Sequence, residues 1–294
     1  MLITNEMSSF RRSIPLIVIG FFLPGFLAAQ QDSGFSLLGE EAPERVKVEN
    51  AFKTTRVINI QSMELTDAGV MDVKINHRFG AVGLGAYEAF GLDNASVRIG
   101  AEYGIVPNLA LILGRSSLNR MVDAGLKYRI MHQTNDNHRP VSLLVYVGAA
   151  RSAVPISTNK IMDYTGQLII GRKISDGFSI QLSPSYVSMG RGGETGALGI
   201  AMRQKITKRT TFNLEYIPAI VRPMGRAVYR NSLSVGVDIE TGGHVFQLHF
   251  TNSSGMAEPQ FIAYNTDTWS NQGFRFGFNI SRVFTVVDPG KFSR

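Results

Sequence analysis

From Val70 onward the chain alternates apolar and polar residues with a period of two. In 70–79, Val73, Ile75, His77 and Phe79 share one face, while Asp72, Lys74, Asn76 and Arg78 share the other. The alternation returns in 95–104, 122–130, 178–186, 232–239, 245–251 and 273–284. Successive side chains of a strand point to opposite faces, so this period predicts β-strands with one apolar and one polar face. About twelve strands are expected, starting near Val70, Ala95, Leu109, Met121, Val141, Tyr164, Phe178, Gly196, Thr210, Asn231, His244 and Gly273. A soluble sandwich also alternates. These segments, however, have the length that a tilted strand needs to cross a bilayer, and charges sit in the middle of their polar faces.

The connections alternate too. Tight ones fall at 106–108, 175–177, 207–209 and 241–243, and longer ones at 80–94, 152–163, 190–195, 218–230 and 252–272. Two depart from the pattern: 134–140 is long for a turn, and 116–120 is short for an outer loop. Short turns at one end and long loops at the other are the habit of outer-membrane barrels. A closed barrel also removes every strand edge, which hydrocarbon demands. The fold class predicted is all-β: an antiparallel up-and-down transmembrane β-barrel of about twelve strands.

The chain's first part reads differently. Arg11 and Arg12 precede the apolar run Ile14–Leu27, and Leu27-Ala28-Ala29 offers a small-residue cleavage site, so residues 1–29 are expected to be a signal peptide removed near Ala29. Residues 30–69 are expected to be a periplasmic segment, with a polar stretch at 39–49 and a short strand-like piece at 57–63. The barrel then covers 70–288, leaving a tail at 289–294. Export plus a barrel places the protein in the outer membrane.

Composition narrows the chemistry. The absence of cysteine rules out disulfides, thiolate metal sites, Fe–S clusters and attached haem. The formal net charge is +7, yet Lys and Arg are scattered singly, which argues against nucleic acid as a partner. His77, His132, His138, His244 and His249 lack zinc-site spacing, so no metal and no cofactor are expected. A membrane-embedded lipase would need a Ser–His pair. His77 on the apolar face is a candidate, but no serine partner can be named, so no catalytic residue is assigned and the protein is not expected to be an enzyme. The glycine-rich 190–196 lacks the Lys-Ser/Thr of a P-loop and reads as an outer loop. Residues 84–92 have helical character and would lie over the mouth or in the lumen, or form an ordinary loop helix. Tyr103, Tyr128, Tyr146, Tyr186, Tyr216 and Trp269 are candidates for aromatic girdles.

Parity assigns the lumen. Lys74, Arg78, Arg98, Lys127, Arg129, Arg203, Lys205 and Arg275 are expected to point inward, opposed by Asp72, Glu102, Asp123, Glu215 and Asp238. Two readings stay open: a pore preferring anions, or a closed lumen braced by Arg–carboxylate pairs.

Several stretches carry a resemblance: Thr55-Arg56-Val57-Ile58-Asn59 with Gln61-Ser62, the run 69–80, Phe90-Gly91-Leu92-Asp93 followed by Val97-Arg98-Ile99-Gly100, Tyr103-Gly104-Ile105, and Leu113-Gly114-Arg115-Ser116. Together they resemble a domain-of-unknown-function family of outer-membrane β-barrels of Gram-negative bacteria. The resemblance covers most of the chain after residue 30 and is densest in 55–130. It implies fold and location and transfers no catalytic residue. The functions expected are a channel or transport-associated barrel for a small solute, a structural or docking barrel, or a lipid-modifying enzyme. The expected partners are outer-membrane lipid, the barrel-assembly machinery and, for residues 31–65, a periplasmic protein.

Overall fold

The structure is a computed structural model that describes residues 46–152, 162–190, 192–223, 225 and 228–292. The signal peptide expected at 1–29 and the upstream part of the segment expected in the periplasm lie outside the described residues. The strands are β1 (Val70–Phe79), β2 (Ala95–Val106), β3 (Leu109–Ser116), β4 (Met121–Met131), β5 (Ser142–Ser152), β6 (Met162–Lys173) and β7 (Phe178–Ser188). They continue with β8 (Glu194–Lys205), β9 (Thr210–Ile217), β10 (Ala219–Val221), β11 (Ser232–Thr241), β12 (His244–Thr251) and β13 (Arg275–Thr285). Starts agree with the alternation to within about two residues, because the period itself places them.

Each strand pairs antiparallel with its neighbours in sequence, and β13 closes on β1 with Val70 opposite Thr285 and Arg78 opposite Gly277. β9 and β10 are one barrel strand interrupted at Pro218, which has no N–H for the ladder; past it, β10 resumes pairing with β8. Counted so, the barrel has twelve strands and no free edge.

The outer face is apolar. Ile99, Leu113, Val122, Leu126, Val147 and Leu182 stand exposed, a surface too large to leave in water and suited to lipid. Aromatics gather on β1, β12 and β13: His77 stacks on Phe278 at 4.8 Å, and Trp269 stacks on Phe274 at 5.0 Å. Tyr128, Tyr186 and Tyr216 also face outward, but Tyr146 is buried inside and belongs to no girdle. It lies across Gly125 and Gly148, where a β-carbon would come within 2.5 and 2.2 Å of its ring and hydroxyl. The helical stretch expected at 84–92 forms 3-10 turns (Val82–Leu84 and Ala86–Gly91) outside the lumen, with Tyr87 and Phe90 exposed.

The interior is filled by the chain itself. Residues 51–62, expected in the periplasm, run inside the barrel and are buried apart from a partly buried Lys53. The physical reason is apolar area: Phe52, Val57, Ile60 and Met63 join a core with Ile112, Leu144, Ile169 and Ile217 of the wall. A second segment enters from the opposite end. Within the long β12–β13 connection, the short helix α1 (Glu258–Ile262) is wholly buried.

Candidate functional site

The inserted segment makes a hairpin. Arg56 bridges Gln61; Val57 N donates to Ile60 O at 2.9 Å, and Ser62 N donates to Thr55 O at 3.0 Å. Its tip, Ile58-Asn59-Ile60, turns three backbone N–H groups the same way. One carboxylate receives them. Glu215 of β9 accepts from Ile58 N at 3.1 Å, Asn59 N at 2.9 Å and Ile60 N at 2.9 Å on Oε2, and from Asn59 Nδ2 at 2.9 Å on Oε1. Consecutive amides around an anion make a nest, so this barrel-wall charge serves as the tip's acceptor.

Wall side chains hold the rest of the hairpin. Arg78 donates to Asn59 Oδ1 at 2.9 Å, Lys127 to Thr55 O at 3.1 Å and Glu64 O at 2.5 Å, Arg129 to Met63 O at 3.2 Å, and Gln181 to Gln61 O at 2.8 Å. Lys74, paired with Asp72, also donates to Thr55 Oγ1 at 2.5 Å. Lower down, Arg203 donates to Asn50 O at 3.1 Å and Ala51 O at 3.0 Å, and Lys53 pairs with Glu240. Burial orphans backbone carbonyls unless a donor is supplied, and the barrel supplies cationic ones.

Small wall residues seat its apolar side chains. A β-carbon on Gly199 would lie 2.3 Å from Ile60 Cδ1, one on Gly171 would lie 2.2 Å from Met63 Sδ, and one on Gly236 would lie 3.3 Å from Ile58 Cδ1. Gly104 admits the chain: a β-carbon there would stand 2.0 Å from Asp67 O.

The two inserted segments meet at Glu258 of α1, which pairs with Arg56 at 2.6 Å and accepts from Gln61 Nε2 at 2.7 Å. Arg56 is 5% exposed and Glu258 1%, so this is a dry ion pair between a segment from the short-turn end and a loop from the long-loop end.

The residues assigned to the lumen by parity fall as follows. Asp72, Lys74, Arg78, Arg98, Glu102, Asp123, Lys127, Arg203, Glu215, Asp238 and Arg275 are buried on the inner face, and Arg129 is half-buried. Lys205 is exposed at the end of β8 rather than in the lumen, because the inward row ends one turn of pleat earlier at Arg203. Three ion pairs stay within the wall: Arg98 on Asp123 through both nitrogens of a fork, Asp72 with Lys74, and Lys127 near Glu102 at 3.9 Å. Arg275 pairs with Asp267 of the long connection. Asp238 accepts from Gln247 at 2.7 Å. His77 meets Phe79 and Phe278 outside the barrel, and His249 is buried inside. Among the described residues no group of His, Asp and Glu has a metal-holding arrangement.

Reading by parity missed Thr55, Arg56, Asn59, Gln61 and Glu258, since none lies on a strand. The available signal was a short uncharged apolar run, 57–63, too brief to cross a membrane and preceding the first strand. A second was the run 256–264 in an outer loop, more apolar than a solvated loop needs.

The model of the membrane bound beta barrel domain family (DUF5777) matches residues 52–284, which takes in the inserted hairpin as well as the strands. No curated protein sequence matches the chain. Among solved structures, the chain is similar to the NanC porin at 9% identity and a TM-score of 0.46, over 74% of this chain and 100% of that one. It is similar to the translocator domain of autotransporter NalP from Neisseria meningitidis at 11% identity and a TM-score of 0.37, over 75% and 89%. It is also similar to an engineered Rh. blastica porin at 14% identity and a TM-score of 0.31, over 64% and 55%.

Proposed function

The chain belongs to the membrane-bound β-barrel domain family DUF5777, and on that premise we propose that it is a gated outer-membrane channel for small polar solutes, closed at rest by residues 51–66. The observation that carries this reading is how the hairpin is held. Side chains of the wall grip it through hydrogen bonds and seat it in glycine notches, so it is a fitted occupant of a polar lumen. Drawing it out exposes Ser, Thr, Gln and charged side chains, which water and polar solutes can solvate, together with apolar Ile112, Leu144, Ile169 and Ile217, whose exposure favours the closed state at rest. Buried Gln167 and Asn213 side chains already have amide atoms with no partner among the described residues.

The charges released are of both signs. Arg78, Arg129 and Arg203 donate to the hairpin and have no carboxylate in an ion pair among the described residues. Glu215 is freed with them, and so are Glu240 and Glu258, whose partners Lys53 and Arg56 leave with the hairpin. The open lumen therefore presents charges of both signs in near balance, which suits small polar solutes without selecting anions. At the short-turn end, which faces the periplasm in such barrels, the hairpin's foot lies against the β4–β5 turn, with Val48 N donating to Gln133 O at 2.9 Å. A periplasmic protein gripping that foot is the agent suited to draw the hairpin out. Catalysis has no place in this reading.

A reversible lock tests it. The sequence has no cysteine, so Asn59→Cys with Ser234→Cys introduces one pair, at side chains in contact at 2.9 Å. In planar bilayers under applied voltage, the reduced protein is expected to open and the oxidised one to stay silent. Equal conductance in both states, or silence in both, overturns the gate.

A further inference from the structure

The lipid-facing wall of β2–β5 is uniformly apolar except at one level. Its outward positions run Val97, Ile99, Ala101 and Tyr103 on β2, Leu109, Leu111 and Leu113 on β3, Val122 to Ile130 on β4, and Leu143 to Ala149 on β5. Only Arg115 and Arg151 carry charge, and no acid faces out there. The register puts both in one row: Arg115 lies opposite Val122, and Val122 lies opposite Arg151. One strand separates them, about 10 Å at the usual strand spacing. Each is one residue from the long-loop end of its strand. Above them, Arg120 ends the 3-10 turn Leu118–Arg120 that joins β3 to β4.

All three arginines are exposed, and none takes part in an ion pair among the described residues. The sequence of the adjoining connection, 153–161, adds no acid. A cation on the lipid face is costly near the bilayer centre and tolerable only near the headgroups, so a row of them at the outer rim needs an anion in the membrane. Directly below lies an apolar groove of ≈ 850 Å3, lined by Val73, Val97, Ile99, Leu113 and Arg115 among others and reaching Arg120.

We propose that this surface is a binding site for a phosphate-bearing acylated lipid of the outer leaflet. The guanidinium groups of Arg115, Arg120 and Arg151 take the headgroup phosphate through charge-assisted hydrogen bonds, for which their planar forks are suited. The acyl chains lie in the groove over Ile99 and Leu113. The site is independent of the lumen, so it stands whether or not the barrel conducts.

The test is native mass spectrometry of the full chain in detergent, with diphosphoryl lipid A and the same lipid stripped of phosphate as probes. Retention of the phosphorylated lipid is expected to fall about fivefold for R120Q and about twenty-five-fold for R115Q/R151Q, at roughly 1 kcal/mol per arginine. The dephosphorylated lipid is expected to bind weakly and equally to all forms. Heat-modifiability on a gel verifies that each variant is folded, and R120Q lies off the strands altogether. Unchanged retention in folded R115Q/R151Q overturns the site. So does equal retention of the dephosphorylated lipid. Displacement by inorganic phosphate at the lipid's own concentration would mark a free-phosphate site and overturn the lipid assignment.

Discussion

Glu215→Gln isolates the latch. The carboxylate receives four hydrogen bonds from the hairpin tip, three of them on one oxygen. Bonds to a charged acceptor contribute about 1.5–3 kcal/mol each, against about 0.5–1.5 kcal/mol for neutral ones. Glutamine keeps one carbonyl oxygen, which can take the place of Oε2 and hold three amides at neutral strength. Its NH2 then faces Asn59 Nδ2, donor against donor, and that bond is lost. Gross loss is therefore about 4.5–7.5 kcal/mol on those per-bond values. Part of it is offset. Closing the hairpin strips water from Glu215, which is fully buried in the closed barrel, and a neutral amide is cheaper to desolvate by a few kcal/mol. A net of about 2–3 kcal/mol remains, which raises the open fraction by about one and a half to two decades. The assay pairs planar-bilayer open probability with labelling of a single thiol at Ile58→Cys, buried when the hairpin is in place. Glu215→Gln should open more often and label faster in the same proportion. If neither quantity changes, the hairpin tip is not what closes the barrel.

Other expectations follow from the same contacts. Arg56→Met strands the buried Glu258 carboxylate and should cost about 3–5 kcal/mol, read as a lower midpoint in heat-modifiability, whereas Arg56→Met with Glu258→Met should recover most of it; a double variant no better than the single refutes the pairing. Gly199→Leu fills the notch that holds Ile60 and should expel the hairpin, raising conductance while the barrel still shifts on boiling; closed Gly199→Leu barrels would refute the seat. His132, in the β4–β5 turn beside the hairpin's foot, has its pKa lowered by burial and by Arg129 and Lys47, with Gln133 and Glu49 acting the other way. A lowered imidazole pKa means the folded state resists the proton, so its stability is full above about pH 6.5 and declines as pH falls from there toward the folded value. Thiol labelling at the foot should accelerate over that interval and not in His132→Gln; identical profiles would discard His132 as the sensor.

The wall was readable because a barrel strand repeats a two-residue rule. Lipid on one side and a polar lumen on the other sort every residue by parity, so Arg78, Arg98 and Asp123 could be assigned inward without a partner in view. Parity stops where pairing stops. Lys205 keeps the parity of Arg203 but sits where β8 leaves the barrel, and water reaches it. Tyr146 shows the complementary gap: β5 is apolar on both faces around it, so alternation does not give its face, and the glycines on β4 and β5 are what leave room for its ring inside.

The hairpin was beyond that rule for a different reason. Its side chains follow the notches and donors of strands far away in sequence: Asn59 answers to Glu215, Ser234 and Arg78, and Ile60 to Gly199. No local period encodes such a fit, and a short apolar run before the first strand looks the same whether it pairs as a strand or enters a lumen. What the structure shows along the wall is a mismatch. Arg78 and Arg203 sit inward without acids beside them, and Glu215 sits inward without a base in contact. Dry charges need partners, and a wall that leaves these three unmatched requires an occupant offering carbonyls to the arginines and amides to the acid. A folded-back stretch of backbone offers both.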